Sequence, residues 1–262
     1  PDYAIRDVGR VAYVLVLLFW PAVVRLHGVK LGKIPVGVVA GAFIAASAIV
    51  GAKLLLADAP TAALGVSAVI FLAVLWQGRK AVWLCLVGTV TYLAAAPLLI
   101  QALLPAMGQA LNGDAAHTSW AIRLDIWRFA AARILEHPFI GWGLDASRAF
   151  SPTIQLHPHN GALHLWLELG AVGVALAATF WAWLFVRIAR VAETDRLMAA
   201  AAAATAGVYL TIGALSFGIW QEWWLALGAL ACVACIVGIR AREPASAPQG
   251  VEPGLDQPRL VP

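Results

Sequence analysis

Residues 81–104 read AVWLCLVGTVTYLAAAPLLIQALL, with no Asp, Glu, Lys or Arg anywhere in the run. A helix needs about 20 apolar residues to cross a hydrocarbon core about 30 Å thick, so this run is long enough to span. The rest of the chain repeats the pattern. Apolar runs also lie near 11–26, 34–56, 62–76, 161–186, 197–220 and 223–239. Pro21 falls inside the first, which a membrane helix tolerates when neighbours satisfy the freed carbonyl.

Composition points the same way. Of 262 residues, 62% are hydrophobic and 12% charged, and mean hydropathy is +0.82. An ordinary soluble domain carries about twice that share of charge. The predicted class is an all-α polytopic membrane bundle of about seven spans. Four spans occupy 1–104, a long polar loop with amphipathic helices occupies 105–160, and three spans occupy 161–241. The segment 242–262, rich in Pro, Ala and Glu, reads as a disordered cytoplasmic tail. Pro1 opens the chain and no signal-peptide pattern follows it, so the sequence reads as part of a longer protein.

The net charge of +4 forms no long basic stripe, which argues against nucleic-acid binding. It bears instead on orientation. Arg25, Lys30 and Lys33 share one connection, Arg79 and Lys80 another, and Arg187, Arg190 and Arg196 a third; Arg240 and Arg242 follow the last span. With seven spans all four groups fall on one side, expected to be cytoplasmic, and the loop 105–160 faces the periplasm or exterior. Cys85, Cys232 and Cys235 lie in apolar runs and read as packing residues rather than a redox pair.

The loop departs from the charge bias. It carries Asp114, Arg123, Asp125, Arg128, Arg133, Glu136, Asp145 and Arg148, with four of the six histidines. Arginines on that side suit an anionic ligand; ordinary loop salt bridges are the alternative. The spacing predicts a helix over 118–136, capped by Thr118 or Ser119 and stopped before Pro138. At 100° per residue, Asp125, Arg128, Ala132 and Glu136 form a solvated face. Arg123 projects from the middle of the opposite, apolar face. A guanidinium cannot shed its proton, so it needs an anion or a polar cavity there. A phosphate fits its planar fork; a buried pair with Glu168 or Glu222 would also serve. Arg133 lies near the helix end, with water in reach. Gly141 and Gly143 then permit a tight turn whose N–H groups could meet a substrate.

The entrance to the fifth apolar run, HPHNGALHLWLELGAVG over 157–173, is unusually polar. Pro158 fixes the chain before His159 and Asn160, which open the span. The positive end of a helix dipole disfavours a protonated imidazole, and a neutral His is what a general base requires. His164 and Glu168 share a face inside the span, where ionisable groups are functional candidates by default. Gly170 and Gly173 offer a smooth patch for helix approach. Two other readings stand beside the base. His157, His159, His164 and Glu168 could ligate zinc, though no standard spacing is present, or the histidines could serve as interfacial hydrogen-bonders.

These residues carry a resemblance. His159-Asn160, nine residues, and Gly170-Ala171-Val172-Gly173 match the signature of the O-antigen ligase and polymerase superfamily. Arg123, Trp127 and Glu136-His137-Pro138-Phe139-Ile140-Gly141-Trp142-Gly143 also look like its pattern. The resemblance implies an inner-membrane glycosyltransferase with a periplasmic catalytic loop and neither metal nor other cofactor. The donor would be a glycan on undecaprenyl diphosphate. The acceptor would be a lipid A–core sugar in a ligase or another glycan in a polymerase. His159 matches the proposed base and Arg123 the arginine that engages the diphosphate. The expected substrate-binding set is Asn160, Gly141, Gly143, Arg133, Arg148, His157, His164 and Glu168. Two departures appear. Family ligases open an earlier span with an arginine where this chain reads Asp58-Ala59-Pro60-Thr61-Ala62-Ala63, leaving Arg148, Arg133, Lys53 or a region beyond this sequence as substitutes. Full members also have about twelve spans. A lipid-linked glycan transporter remains the rival of a different class.

Overall fold

The computed structural model describes residues 2–27, 29–54, 58–110 and 118–240. The expected tail 242–262, Asp114, and the side chains of Lys53 and Thr118 lie outside the described residues. Among the described residues the regular structure is helical apart from a two-residue antiparallel ladder in which β1 (Lys30–Leu31) pairs with β2 (Ile34–Pro35). The helices are α1 Asp2–Arg25, α2 Val36–Leu54, α3 Asp58–Gln77, α4 Arg79–Ala110, α5 Thr118–Glu136, α6 Gly161–Thr194, α7 Arg196–Leu215 and α8 Glu222–Arg240. The all-α class expected from sequence is what is found.

Five described helices are long and apolar enough to cross a membrane: α3, α4 over Arg79–Gly108, α6, α7 and α8. Helices α1 and α2 occupy the first two expected spans. The expected boundaries shift in places. Helix α4 runs past residue 104 with Pro97 and Pro105 inside it. The run predicted over 197–220 stops at Leu215, because Ser216–Gln221 turns back toward the α6 entrance.

Helix α7 is the hub. Its Ala199–Ala204 run is buried and packs between α1, α3 and α6. Such small residues let backbones approach where lipid supplies no hydrophobic driving force between helices. The outer faces are apolar: Val69, Leu72, Trp76, Leu84, Val87, Leu98, Trp183 and Val233 are exposed. In water that surface would aggregate; facing acyl chains it is at its most stable.

The ends of the bundle differ. At one end Arg79 pairs with Glu193, and Arg196 packs against Gly78 between α3 and α4. At the other, α5 packs on α4 and α6 near the starts of α3 and α6, tied by Trp120 Nε1–H donating to Asp58 (3.1 Å) and Trp127 Nε1–H donating to the Pro158 carbonyl (2.8 Å). The basic α3–α4 and α6–α7 junctions therefore lie opposite the histidine-rich end.

Candidate active site

Helix α5 spans the predicted 118–136. Leu124, Ile126, Trp127, Ala130 and Ile134 pack with Ile100 and Leu104 of α4 and Leu163 and Leu167 of α6. Asp125, Arg128, Ala132 and Glu136 are exposed, and Asp125 pairs with Arg128 at 2.7 Å. Arg123 is half-buried, with its guanidinium 4.8 Å from the Trp120 ring centre. No carboxylate among the described residues stands within salt-bridge distance of it. Burial lowers its pKa, while Tyr13 and Asp58 favour its charge.

The next segment explains the glycines. Helix α6 breaks at Gly170, whose φ of 60° and ψ of −156° only glycine adopts readily. The break frees backbone groups inside a span, and those groups must find partners. Residues 138–143 supply them. Trp142 N–H donates to Leu167 O (2.9 Å) and Gly143 N–H to Glu168 O (2.9 Å). In return Ala171 N–H donates to Pro138 O (2.8 Å) and Val172 N–H to Phe139 O (3.2 Å). The backbones lie so close that a Cβ on Gly141 would stand 2.4 Å from the Glu168 carbonyl carbon, and one on Gly170 2.5 Å from that of Phe139. Gly170 is thus approached by loop backbone rather than by another helix. Gly141 N–H is also used within the chain, donating to His137 O at 3.0 Å.

His159 sits just before α6 with φ 55°, a left-handed conformation. Its backbone N–H donates to His157 Nδ1 at 3.2 Å. Its own Nδ1 lies 2.9 Å from the Ser216 carbonyl. A carbonyl only accepts, so Nδ1 carries the proton and Nε2 presents a lone pair. Burial lowers the imidazole pKa and Arg123 lowers it further, against the upward pull of the Ser216 bond. The ring is neutral at pH 7.

His157 is buried and pushed down to about 3, by burial first and then by the charges of His159, His164, Arg123 and Arg148. Since its Nδ1 accepts, its Nε2 carries the proton, and the Gln221 side-chain amide 3.0 Å away must turn its oxygen toward it. Asn160 caps α6, its Oδ1 accepting from Leu163 N–H at 3.0 Å. Its amide donates to Ala214 O (3.0 Å) and to the Tyr92 hydroxyl (3.1 Å).

His164 and Glu168 form a buried pair one turn deeper. His164 Nδ1 accepts from Ile219 N–H (3.1 Å), so Nε2 donates to Glu168 Oε1 (2.9 Å). Of the other expected residues, Arg133 pairs with Glu136 at 2.9 Å and Arg148 with Asp145 at 2.9 Å. Arg148 is exposed but close enough to act on His157. Among the described residues no cluster of His, Cys, Asp or Glu is arranged to hold a metal ion. Sequence reasoning missed Ser216, Gln221, Trp220 and Tyr92, which hold the histidines and the cap in place. They lie in other spans or connections, and nothing local marks them.

Comparison with known proteins bears on this geometry. A family model described as O-antigen ligase matches residues 42–178, which include Arg123, the 138–143 segment, His159 and Gly170. A Rickettsia conorii protein provisionally named a polysaccharide ligase is 33% identical over 128 residues, 44% of this chain and 31% of the relative. A Rickettsia bellii protein with the same provisional name is 33% identical over 125 residues, 42% of this chain and 30% of the relative. One from Rickettsia prowazekii is 30% identical over 128 residues, covering 44% and 31%. The chain thus covers under a third of these relatives' lengths. No solved structure matches.

Proposed function

The chain belongs to the O-antigen ligase family, and from that premise we propose that it is a membrane glycosyltransferase moving a glycan from undecaprenyl diphosphate to an acceptor hydroxyl. The preferred acceptor is a lipid A–core sugar. His159 Nε2 takes the proton of the acceptor hydroxyl as its oxygen attacks the anomeric carbon. The bond from that carbon to the diphosphate oxygen breaks, and undecaprenyl diphosphate leaves. Arg123 meets the charge that grows on the leaving group, where a preorganised cation helps most. Neither step calls for a metal or other cofactor.

One observation carries this reading: Ser216 holds the proton of His159 on Nδ1, which leaves Nε2 as an acceptor at the entrance of a span. The half-buried guanidinium of Arg123, with no carboxylate at salt-bridge distance among the described residues, supports it. In this reading the protein works in the bacterial inner membrane with its catalytic loop on the periplasmic side. Two basic junctions at the opposite end of the bundle support that orientation. Polymerisation onto another glycan is the second reading. It draws on Asp58, which occupies the opening of α3 and bonds Trp120 beside Arg123.

The test is a transfer assay with purified protein in liposomes, lipid-linked glycan donor and each acceptor in turn. Joined product with lipid A–core supports ligation; product with a glycan acceptor alone supports polymerisation. Movement of donor between leaflets with no joined product would make it a transporter and refute the proposal.

A further inference from the structure

Glu168 is the one carboxylate among the described residues whose side chain is fully buried. Four donors meet it. Oε1 accepts from His164 Nε2–H (2.9 Å) and from Ser147 N–H (3.2 Å). Oε2 accepts from Trp220 Nε1–H (2.7 Å) and from Asp145 N–H (3.0 Å). An ionised carboxylate has about four acceptor sites, so none is left for a ligand. A buried carboxylate is costly unless its charge is met in this way, and inside a membrane bundle such a residue calls for an explanation.

The donors come from three segments. Asp145 and Ser147 open the short 3-10 helix Ala146–Phe150, which carries Arg148. His164 belongs to the first turns of α6. Trp220 belongs to the α7–α8 connection. His164 adds a second tie to that connection through Ile219 N–H. The same connection holds Ser216, whose carbonyl fixes the proton on His159 Nδ1.

We propose that Glu168 is a positioning residue for the His159 base. It acts through His164 and Trp220 to anchor residues 216–220, and so keeps the Ser216 carbonyl on Nδ1 and the lone pair on Nε2. The same carboxylate anchors the segment that brings Arg148 to the site. Its catalytic consequence rests on the transfer function proposed above; its effect on the His159 proton does not.

The experiment compares Glu168→Gln with wild type by two readouts. The first is 15N NMR of histidine-labelled protein in detergent, with the His159 signals identified by their loss in His159→Gln. The second is the liposome transfer assay. A glutamine has one acceptor oxygen and turns an NH2 group toward donors, so the α7–α8 connection loses an anchor. The expected result is a His159 signal shifted from a single Nδ1–H form toward a mixture of tautomers. With it, kcat falls at least about tenfold, the scale on which outer-shell hydrogen-bond partners act at metal sites, and KM for the donor stays within about twofold. Trp220→Phe keeps a ring and removes one donor, and should shift both readouts the same way by less. It carries the test alone if Glu168→Gln does not fold. A folded variant with an unchanged His159 tautomer overturns the proposal. So does a loss confined to KM, which would mean that the carboxylate binds substrate. A tautomer shift in a protein whose wild type transfers nothing would sink the transferase reading and leave the positioning role standing.

Discussion

Replacing Gly170 by alanine puts the break in α6 to a quantitative test. At φ 60° and ψ −156° an alanine is in a region essentially reserved for glycine, at about 1–3 kcal/mol. Its Cβ would also stand 2.5 Å from both the carbon and the oxygen of the Phe139 carbonyl and 2.6 Å from Gly141 N. These are backbone atoms and cannot rotate away, so the 138–143 segment must move, at a further cost of about 1–3 kcal/mol typical of overpacking. The sum, about 2–6 kcal/mol, lowers the melting midpoint by about 5–20 °C for a chain of this size. The assay is thermal unfolding of purified protein in detergent, with Gly88→Ala of α4 as the control. A Cβ on Gly88 meets nothing within 4 Å, so that change should be neutral or stabilise by about 0.5–1 kcal/mol. Gly141→Ala crowds the same interface from the other side, and the double variant should lose less than the sum of the two. A Gly170→Ala protein melting within about 2 °C of wild type would refute the account of the break.

Other consequences follow from the histidines. The His159 pKa is held below 6.5 by burial and by Arg123, and the neutral ring is the active base. The rising limb of kcat/KM against pH should therefore lie below pH 6.5, and Arg123→Gln should move the limb of its residual activity upward; no movement would separate Arg123 from the base. His157 acts as an acceptor for the His159 N–H, a role an asparagine side chain fills in an Asx turn. His157→Asn should accordingly retain much more transfer activity than His157→Ala, and equal losses would dismiss that role. His157 also has a depressed folded pKa of about 3. The unfolded chain binds its proton near pH 6.5 while the folded chain does not, so stability falls as pH drops from about 6.5 toward 3. His157→Asn should flatten that decline.

Much of this architecture can be read from the residues. Helix α5 ends just before Pro138 as its sequence predicts, and Asp125, Arg128, Ala132 and Glu136 lie exposed on the face the spacing marks, although Ile122 of the expected apolar face is exposed as well. The apolar runs locate the helices because lipid demands long uninterrupted segments. The break at Gly170 is hidden for the same reason: apolar residues continue through it, and a helical pattern does not register one residue that leaves the helix. The Asn160 cap carries a readable signal, a polar side chain just ahead of a helix, which the match to the His-Asn motif directed toward substrate instead. Glu168 stands out as a charge in a span, but its donors do not. Two are backbone N–H groups of residues 145 and 147, and Trp220 lies in a connection predicted to be span. Contacts of that kind depend on tertiary packing and leave no local trace.

The central claim is that His159 accepts the proton of the acceptor hydroxyl. The most direct measurement is single-turnover transfer by the protein expressed from its full reading frame, reconstituted with donor and acceptor lipids, wild type against His159→Ala at matched melting midpoints. A positioned general base contributes about 10²–10⁴-fold, and the account predicts a loss in that range with donor binding retained. Transfer by folded His159→Ala at the wild-type rate would contradict it.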